Sequence, residues 1–433
     1  MALLAGLGAA EGRRSCVLIL AAAVLAAVIT ACSVGADVGS PTAGTPTVKG
    51  QTEMARSPAA SSTPAPGELD PQLIEAAWNN DVPRARELIA AGADVNHQDD
   101  TQQSAYLIAT SEGYRELLEL TFRHGADVTS LDSYNGTGLI RAAERGHADI
   151  VGRLLQTDID VDHVNNLGYT ALHEAIVLGE GTQSYEDTVR LLVAGGANAE
   201  LPPKRDDIAP VEHARSRQYD VIAATLESAL DDQRTPADPG AELLRTAAAG
   251  DADQVALALR AGGEIEARDA EGRTPLLLAA ANDQLAVARL LVALGADPDA
   301  LDDRHDTPWL VTGVTGSVSM LEVLLPGEPD LTIRNRFGGI SVIPASERGH
   351  VDYVRRVVQT DMDVNHVNDL GWTALLEAVI LGDGSKPYQQ IVRVLLDAGA
   401  DPTIADRDGV TAGEHARDKG QDDVARILER SRG

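Results

Sequence analysis

Slid along itself, this chain matches in two registers. Leu73 to Gly92 align with Leu243 to Gly262 at an offset of 170, whereas Glu144 to Leu178 align with Glu347 to Leu381 at an offset of 203. The registers differ by 33 residues, so the two halves of a duplicated chain differ by one 33-residue block. The simplest chain with that property is an array whose unit is the block, one unit having been gained or lost between the halves.

The short motifs say what the unit is. In Leu167-Gly168-Tyr169-Thr170-Ala171-Leu172-His173-Glu174-Ala175 a Gly turn leads to a Thr that can cap a helix, followed by small and apolar residues at helical spacing. The same frame reads Gly272-Arg273-Thr274-Pro275-Leu276, with Pro in the first helical turn, where its missing N–H costs nothing. A second helix follows as Gly146-His147-Ala148-Asp149-Ile150-Val151 and again as Gly349-His350-Val351-Asp352. The unit closes on Gly92-Ala93-Asp94, Gly125-Ala126-Asp127, Gly295-Ala296-Asp297 or Gly399-Ala400-Asp401. These motifs resemble the ankyrin repeat, whose period is also 33. The resemblance implies an all-α solenoid of helix-turn-helix units with β-hairpin tips, in two consecutive duplicated arrays.

In that frame residues 68–231 hold about five units and 241–433 about six, with 232–240 as a linker. Hairpin tips are expected near Thr101, Tyr134, Leu167 and Arg205, then near Glu271, Arg304, Phe337, Leu370 and Asp408. The extra unit of the second half, Arg304 to Arg336, is expected to be the least regular, because Val311 to Ser319 carries two Gly and several β-branched residues. Composition agrees with thin layers of helices: aromatic residues make up only 3% of the chain. A unit of this kind cannot bury its apolar side alone, so stacking on neighbours supplies the stability.

The amino terminus has the pattern of an export signal. Arg13 and Arg14 precede Val17 to Ala31, fifteen uncharged and mostly apolar residues, fewer than the roughly 20 that cross a bilayer comfortably. The end of this stretch, Ile29-Thr30-Ala31-Cys32, resembles the bacterial lipobox, which implies cleavage after residue 31 and lipidation of Cys32. Cys16 and Cys32 are the only cysteines, so the exported part has no disulfide. Ser33 to Gly67 is mostly Gly, Ser, Thr, Pro and Ala and reads as a disordered tether. Its 35 residues span roughly 30 to 35 Å, enough to hold a folded array clear of headgroups. The expected location is the extracytoplasmic face of the cell membrane, with the lipid as the only membrane contact.

Charge narrows the partners. Residues 68–231 carry 29 acidic against 12 basic side chains, and residues 240–433 carry 32 against 19. With no basic stripe to release counterions, nucleic acid is excluded as a target. A basic protein partner is the one whose encounter such a field would speed.

Three constellations have the residue types of chemistry without its geometry. His173-Glu174 lacks the second His that a zinc-binding helix places three residues beyond the Glu, and its duplicate is Leu376-Glu377. Glu212-His213 recurs as Glu414-His415, but neighbours on a helix point about 100° apart and do not converge on one atom. Asp406-Arg407-Asp408-Gly409 opens like a calcium loop and lacks the later ligands. The sequence therefore predicts no catalytic residue, cofactor or metal, and a chain that is not an enzyme.

The candidate binding residues lie on tips and inserted loops. His163, Asn166, Leu167 and Tyr169 recur as His366, Asp369, Leu370 and Trp372. The loop Gly179 to Tyr185, about five residues longer than the usual turn, recurs as Gly382 to Tyr388. Leu at a tip where the family usually has Asp leaves an apolar group exposed, as in a binding hot spot. Tyr185, Tyr388 and Phe337 complete the set, with Trp309 as a lesser candidate. The expected protein is a monomeric binding module for a protein partner, in the role of an inhibitor or immunity protein. The alternatives are a multi-partner envelope scaffold and an accessory factor for an exported enzyme.

Overall fold

The computed structural model describes residues 66–204, 207–231 and 236–431. The signal segment, Cys32, most of the tether, the tip at Arg205 and part of the linker lie outside the described residues. Helices come in antiparallel pairs. The first five are α1 (Pro66–Trp78) with α2 (Val82–Ala90), α3 (Ala105–Glu112) with α4 (Arg115–Arg123), α5 (Gly138–Glu144) with α6 (Ala148–Leu154), α7 (Ala171–Val177) with α8 (Gln183–Ala194), and α9 (Pro210–Ser216) with α10 (Asp220–Leu230). Six more follow: α11 (Pro239–Ala249) with α12 (Ala252–Arg260), α13 (Pro275–Ala281) with α14 (Leu285–Ala293), α15 (Pro308–Thr315) with α16 (Val318–Leu324), α17 (Val342–Glu347) with α18 (Val351–Val357), α19 (Ala374–Ile380) with α20 (Lys386–Asp397), and α21 (Ala412–Asp418) with α22 (Asp422–Arg430). Among the described residues there is no named strand. The tips carry only isolated bridges, Leu131 to Thr137 and Ala405 to Thr411. No helix there is long and apolar enough to cross a membrane.

Local chemistry explains the helix starts. The hydroxyls of Thr137, Thr170, Thr274, Thr307 and Thr373 each accept from the amide three residues on, satisfying a donor that the first turn leaves open. Helix α17 lacks this device: Ser341 is itself helical and makes no side-chain cap, and α17 has six residues. In the extra unit α15 forms through Thr315 despite its Gly. A Cβ on Gly313 would stand 1.9 Å from the Ser341 carbonyl, so the Gly permits α15 and α17 to close together. The irregularity of this unit lies after α16, in a 3-10 turn over Leu325–Gly327 ended by Glu328 at φ +54°.

Stacking joins the first helices in series, α3 to α5 to α7 and α13 to α15 to α17 to α19, and the second helices likewise. Asparagines tie adjacent units at the turns. Asn96 donates to the Gly125 carbonyl at 3.0 Å and accepts from the Asp127 amide at 2.8 Å, and Asn365 does the same with Gly399 and Asp401.

The second array does not continue the stack of the first but folds back along it, second helices against second helices. Helix α12 packs on α8 and α10, and α14 on α6 and α8. Gly152 makes the contact possible: a Cβ there would lie 2.5 Å from the Ala293 carbonyl. A charge set crosses the same surface, with Arg190 Nε 2.7 Å from Asp253 and Arg289 Nε 2.8 Å from Asp187. Arg260 adds a 2.7 Å hydrogen bond to the Ala197 carbonyl. At an offset of 203, Gly152, Asp187 and Arg190 become Arg355, Gln390 and Arg393, all exposed. The interface therefore belongs to one copy of the duplicated surface.

Gly152→Leu is expected to destabilise the fold by about 1 to 3 kcal/mol through overpacking against α14. Arg355→Leu, the matching position of the other copy, should stay within about 0.5 kcal/mol. Urea unfolding midpoints check this, and equal shifts for the two variants would count against the back-to-back packing.

Candidate partner-binding tips and groove

Each of the two duplicated tips hangs on one buried Asn. Asn165 Oδ1 accepts from the amides of Leu167 and Tyr169, both at 3.0 Å, while its Nδ2 donates to Glu174 Oε1 at 2.6 Å. Asn368 repeats this with the amides of Leu370 and Trp372, again at 3.0 Å, and donates to Glu377 Oε1 at 2.9 Å. A carboxyl on the first helix thus holds the amide that shapes the fingertip. Neighbouring tips are joined by backbone: the Asn166 amide donates to the Tyr134 carbonyl and the Asp369 amide to the Phe337 carbonyl, both at 2.9 Å.

This scaffold leaves four large apolar side chains in solvent on adjacent tips. Tyr134 is 58% exposed and Leu167 41%; their duplicates Phe337 and Leu370 are 52% and 49% exposed. Such side chains ringed by polar groups are what partner surfaces use. The Arg336 guanidinium lies 4.6 Å over the Phe337 ring, a cation–π contact. Asn166 and Asp369 are exposed beside them.

Several predicted residues are turned inward, which corrects the sequence reading. Tyr169 is buried and stacks on His173, ring centres 5.9 Å apart. Tyr185 is buried because its hydroxyl reaches back to the Glu144 carbonyl at 3.1 Å, and half-buried Tyr388 reaches the Glu347 carbonyl at 2.9 Å. The inserted loops therefore anchor on the preceding unit. Trp372 is half-buried against the core, and Trp309 is wholly inside. His163 and His366 bond the neighbouring tip, donating from Nε2 to the carbonyls of Asn135 at 2.8 Å and Gly338 at 2.6 Å. Of the set, Asn166, Leu167, Phe337, Asp369 and Leu370 remain at the surface. Tyr134 was missed, although the 203-residue register with Phe337 marks it.

In the second array the tips and first helices enclose a cleft of about 460 Å³. Its lining includes Phe337, Leu370, Val311 and Ile343 as apolar groups and Asp302, Asp306, Glu347 and Glu377 as acids. Burial pushes the Glu174 and Glu377 carboxyls up to about 7, with the charge of Glu347 adding to the effect on Glu377. Other candidate chemistry resolves into structure. Glu414 accepts from the Thr411 amide at 2.8 Å as a cap, and His415 Nε2 lies 2.7 Å from Asp406. Asp406 shapes its own tip by accepting from the Asp408 and Val410 amides.

Paired helices, turn-linked and stacked in register, define a helical repeat solenoid. This chain belongs to the ankyrin repeat family: the description "Ankyrin repeats (3 copies)" matches residues 73–161, 107–202, 243–335 and 309–406, together more than half of the chain. It is 38% identical over 189 residues to the ankyrin repeat protein YahD of Escherichia coli strain K12, spanning 43% of this chain and 94% of that protein. A Caenorhabditis elegans homologue of transient receptor potential cation channel subfamily A member 1 is 30% identical over 203 residues, 45% of this chain but 16% of that protein. Among solved structures, an ankyrin repeat domain of Acinetobacter baumannii AYE shares 43% identity over 44% of this chain and 96% of its own length, with a TM-score of 0.43.

The buried carboxyls give a pH prediction. Ionising Glu174 or Glu377 costs the folded state and not the unfolded chain, where a glutamate titrates near 4.5. Their contribution is complete below about pH 4.5 and is lost as pH rises through about 7, by up to about 3 kcal/mol each. Glu174→Gln and Glu377→Gln should flatten the fall in stability between pH 5 and 8, measured by urea unfolding at each pH. An unchanged slope in both variants would show that the carboxyls are solvated.

Proposed function

We propose that this chain is a protein-binding module, acting through its tips and the grooves beneath them without bond chemistry. Supporting this is the duplicated pair of exposed apolar side chains on adjacent tips, Tyr134 with Leu167 and Phe337 with Leu370, in an otherwise acidic protein. The Leu167 and Leu370 tips are held by Asn165 and Asn368 with the Glu beneath, and the Tyr134 and Phe337 tips by Asp132 and Asn335, which keeps the ordering cost of binding low. The acid excess suits a basic partner. In this reading the chain is a monomer on the extracytoplasmic face of the cell membrane, anchored by a lipid on Cys32 and swinging on its tether. The support is the arginine pair, the short apolar stretch and the Ile29-Thr30-Ala31-Cys32 sequence.

Neutralising a single partner, as an inhibitor or immunity protein does, requires one face. A scaffold that bridges partners requires two, and one observation favours it. The second helices of the two arrays pack on each other, so the first helices of the arrays lie on opposite sides of that interface.

Capture from detergent-solubilised membranes tests the reading. Leu167→Asp and Leu370→Asp should each reduce recovery of the partner on their own array by about tenfold or more, the size of a hot-spot loss. Recovery unchanged by both would sink the tip assignment. Complex mass separates the roles, since loss of all partners in either variant indicates one shared partner and independent losses indicate bridging. Cys32→Ala should move the protein to the soluble fraction; full membrane retention would refute the lipid anchor.

A further inference from the structure

The two arrays keep the same two glutamates beside their tips, but two of the residues around them differ. In the first, Arg141 on α5 pairs with Glu144 at 2.6 Å and with Asp132 at 3.3 Å, and its charge favours the ionised form of Glu174. At an offset of 203 the acid groups persist, Glu144 as Glu347 and Glu174 as Glu377, but Arg141 becomes Pro344 and Asp132 becomes Asn335. Pro344 is short and lines the cleft of about 460 Å³. Among the described residues no cation comes within ion-pair distance of Glu347 or Glu377. Glu377 is 4% exposed, and among the described residues Asn368 donates to its Oε1.

From this geometry we propose that the cleft of the second array receives a basic side chain of a protein partner, seated on Glu347 in the cleft that Glu377 also lines, as Arg141 is seated on Glu144 in the first array. The inference deepens the binding reading above and rests on it. Arg273, Arg304, Arg336 and Arg348 also line the cleft, and among the described residues none of them pairs with Glu347 or Glu377; Arg304 lies 3.9 Å from Asp306. Arg336 pairs with Asp306 at 3.2 Å, and Arg273 with Asp269 at 2.7 Å. Arg348 is exposed; its counterpart Arg145 pairs with Glu112, whose place here is taken by Thr315. Phe337 and Leu370 line the same cleft, and an arginine or lysine stem is apolar enough to lie along them. A guanidinium matches a carboxylate better than an ammonium does, because it presents paired donors in a fixed plane.

The test titrates the full protein at low salt with acetyl-Leu-Arg-Leu-amide and with the same peptide carrying citrulline, which keeps the shape and removes the charge. Wild type should bind the arginine peptide about tenfold more tightly, the size of one charge-assisted hydrogen bond. Pro344→Arg restores the side chain of the first array in a helical position where arginine is tolerated, and should abolish the preference by filling the seat. Glu347→Gln should reduce it, while Arg141→Ala in the first array, which removes the guanidinium and keeps the helix amide, should create it there. Equal binding of the two peptides by wild type, or an arginine preference that survives Pro344→Arg, would overturn the proposal. Loss of both peptides alike on Leu370→Asp, with no arginine preference in wild type, would overturn it while leaving the tips as a binding surface. The membrane capture above judges the binding reading separately.

Discussion

Everything in this protein depends on helix pairs that cannot bury their apolar sides alone. The first helices are short, most of seven residues, and would not persist as isolated peptides. Each becomes stable by laying Ala, Leu and Ile against the next pair, and the buried set runs without a break from Leu69 to Leu428. Small side chains let the layers approach closely, which is why so few aromatics are needed. A linear array normally leaves its second helices to solvent. Here α6, α8 and α10 of the first array are covered by α12 and α14 of the second, so the chain gains an interface in place of a longer stack.

That packing separates surfaces by role. The second helices are committed to holding the arrays together through Gly152, Asp187 and Arg190. A buried charge set adds little net stability when weighed against an apolar replacement, and its better-attested use is to fix one register. The tips and first helices remain for recognition. Their rigidity comes from polar groups: Asn165 and Asn368 replace the strand pairing that the tips lack, and each is held by a buried carboxyl. Placing a glutamate there opposes its own ionisation, so tip geometry is bought at the cost of stability that depends on pH.

Much of the fold was legible because period and capping are local signals. A repeat of 33, Thr before many of the first helices and Gly after many of the second helices needed no tertiary information. The reversal at the linker was not legible, since it depends on which copy of a duplicated face is small enough to be covered, and Gly152 against Arg355 reads as an ordinary difference. For the site, Leu167, Leu370 and Phe337 were recognised from their position at tips. Tyr169 and Tyr185 were misplaced because aromatic character is the same whether a side chain points at solvent or at the preceding unit; only the Glu144 carbonyl, 41 residues away in sequence, decides it. Glu174 was considered only with His173, as a pair without the spacing of a zinc-binding helix. Its link to Asn165, nine residues earlier and repeated between Glu377 and Asn368, was visible as a spacing without an evident reason.

Duplication makes the remaining differences informative, because two copies of one backbone act as controls for each other. Where the copies agree, as in the Asn and Glu beneath each tip and the exposed side chains above, the shared structure accounts for the residues. Where they differ, each array has a separate task. The exchange of Gly152 for Arg355 tracks which face is covered. The exchange of Arg141 for Pro344 removes a cation and, with Asp132 becoming Asn335, one of the two carboxyls it pairs with, while Glu144 persists as Glu347. Glu347 keeps the place of Glu144 without the arginine that pairs with Glu144, and a carboxyl in a partly apolar cleft is costly to leave without a counter-charge. That retained carboxyl is what a charge supplied from outside the chain would meet.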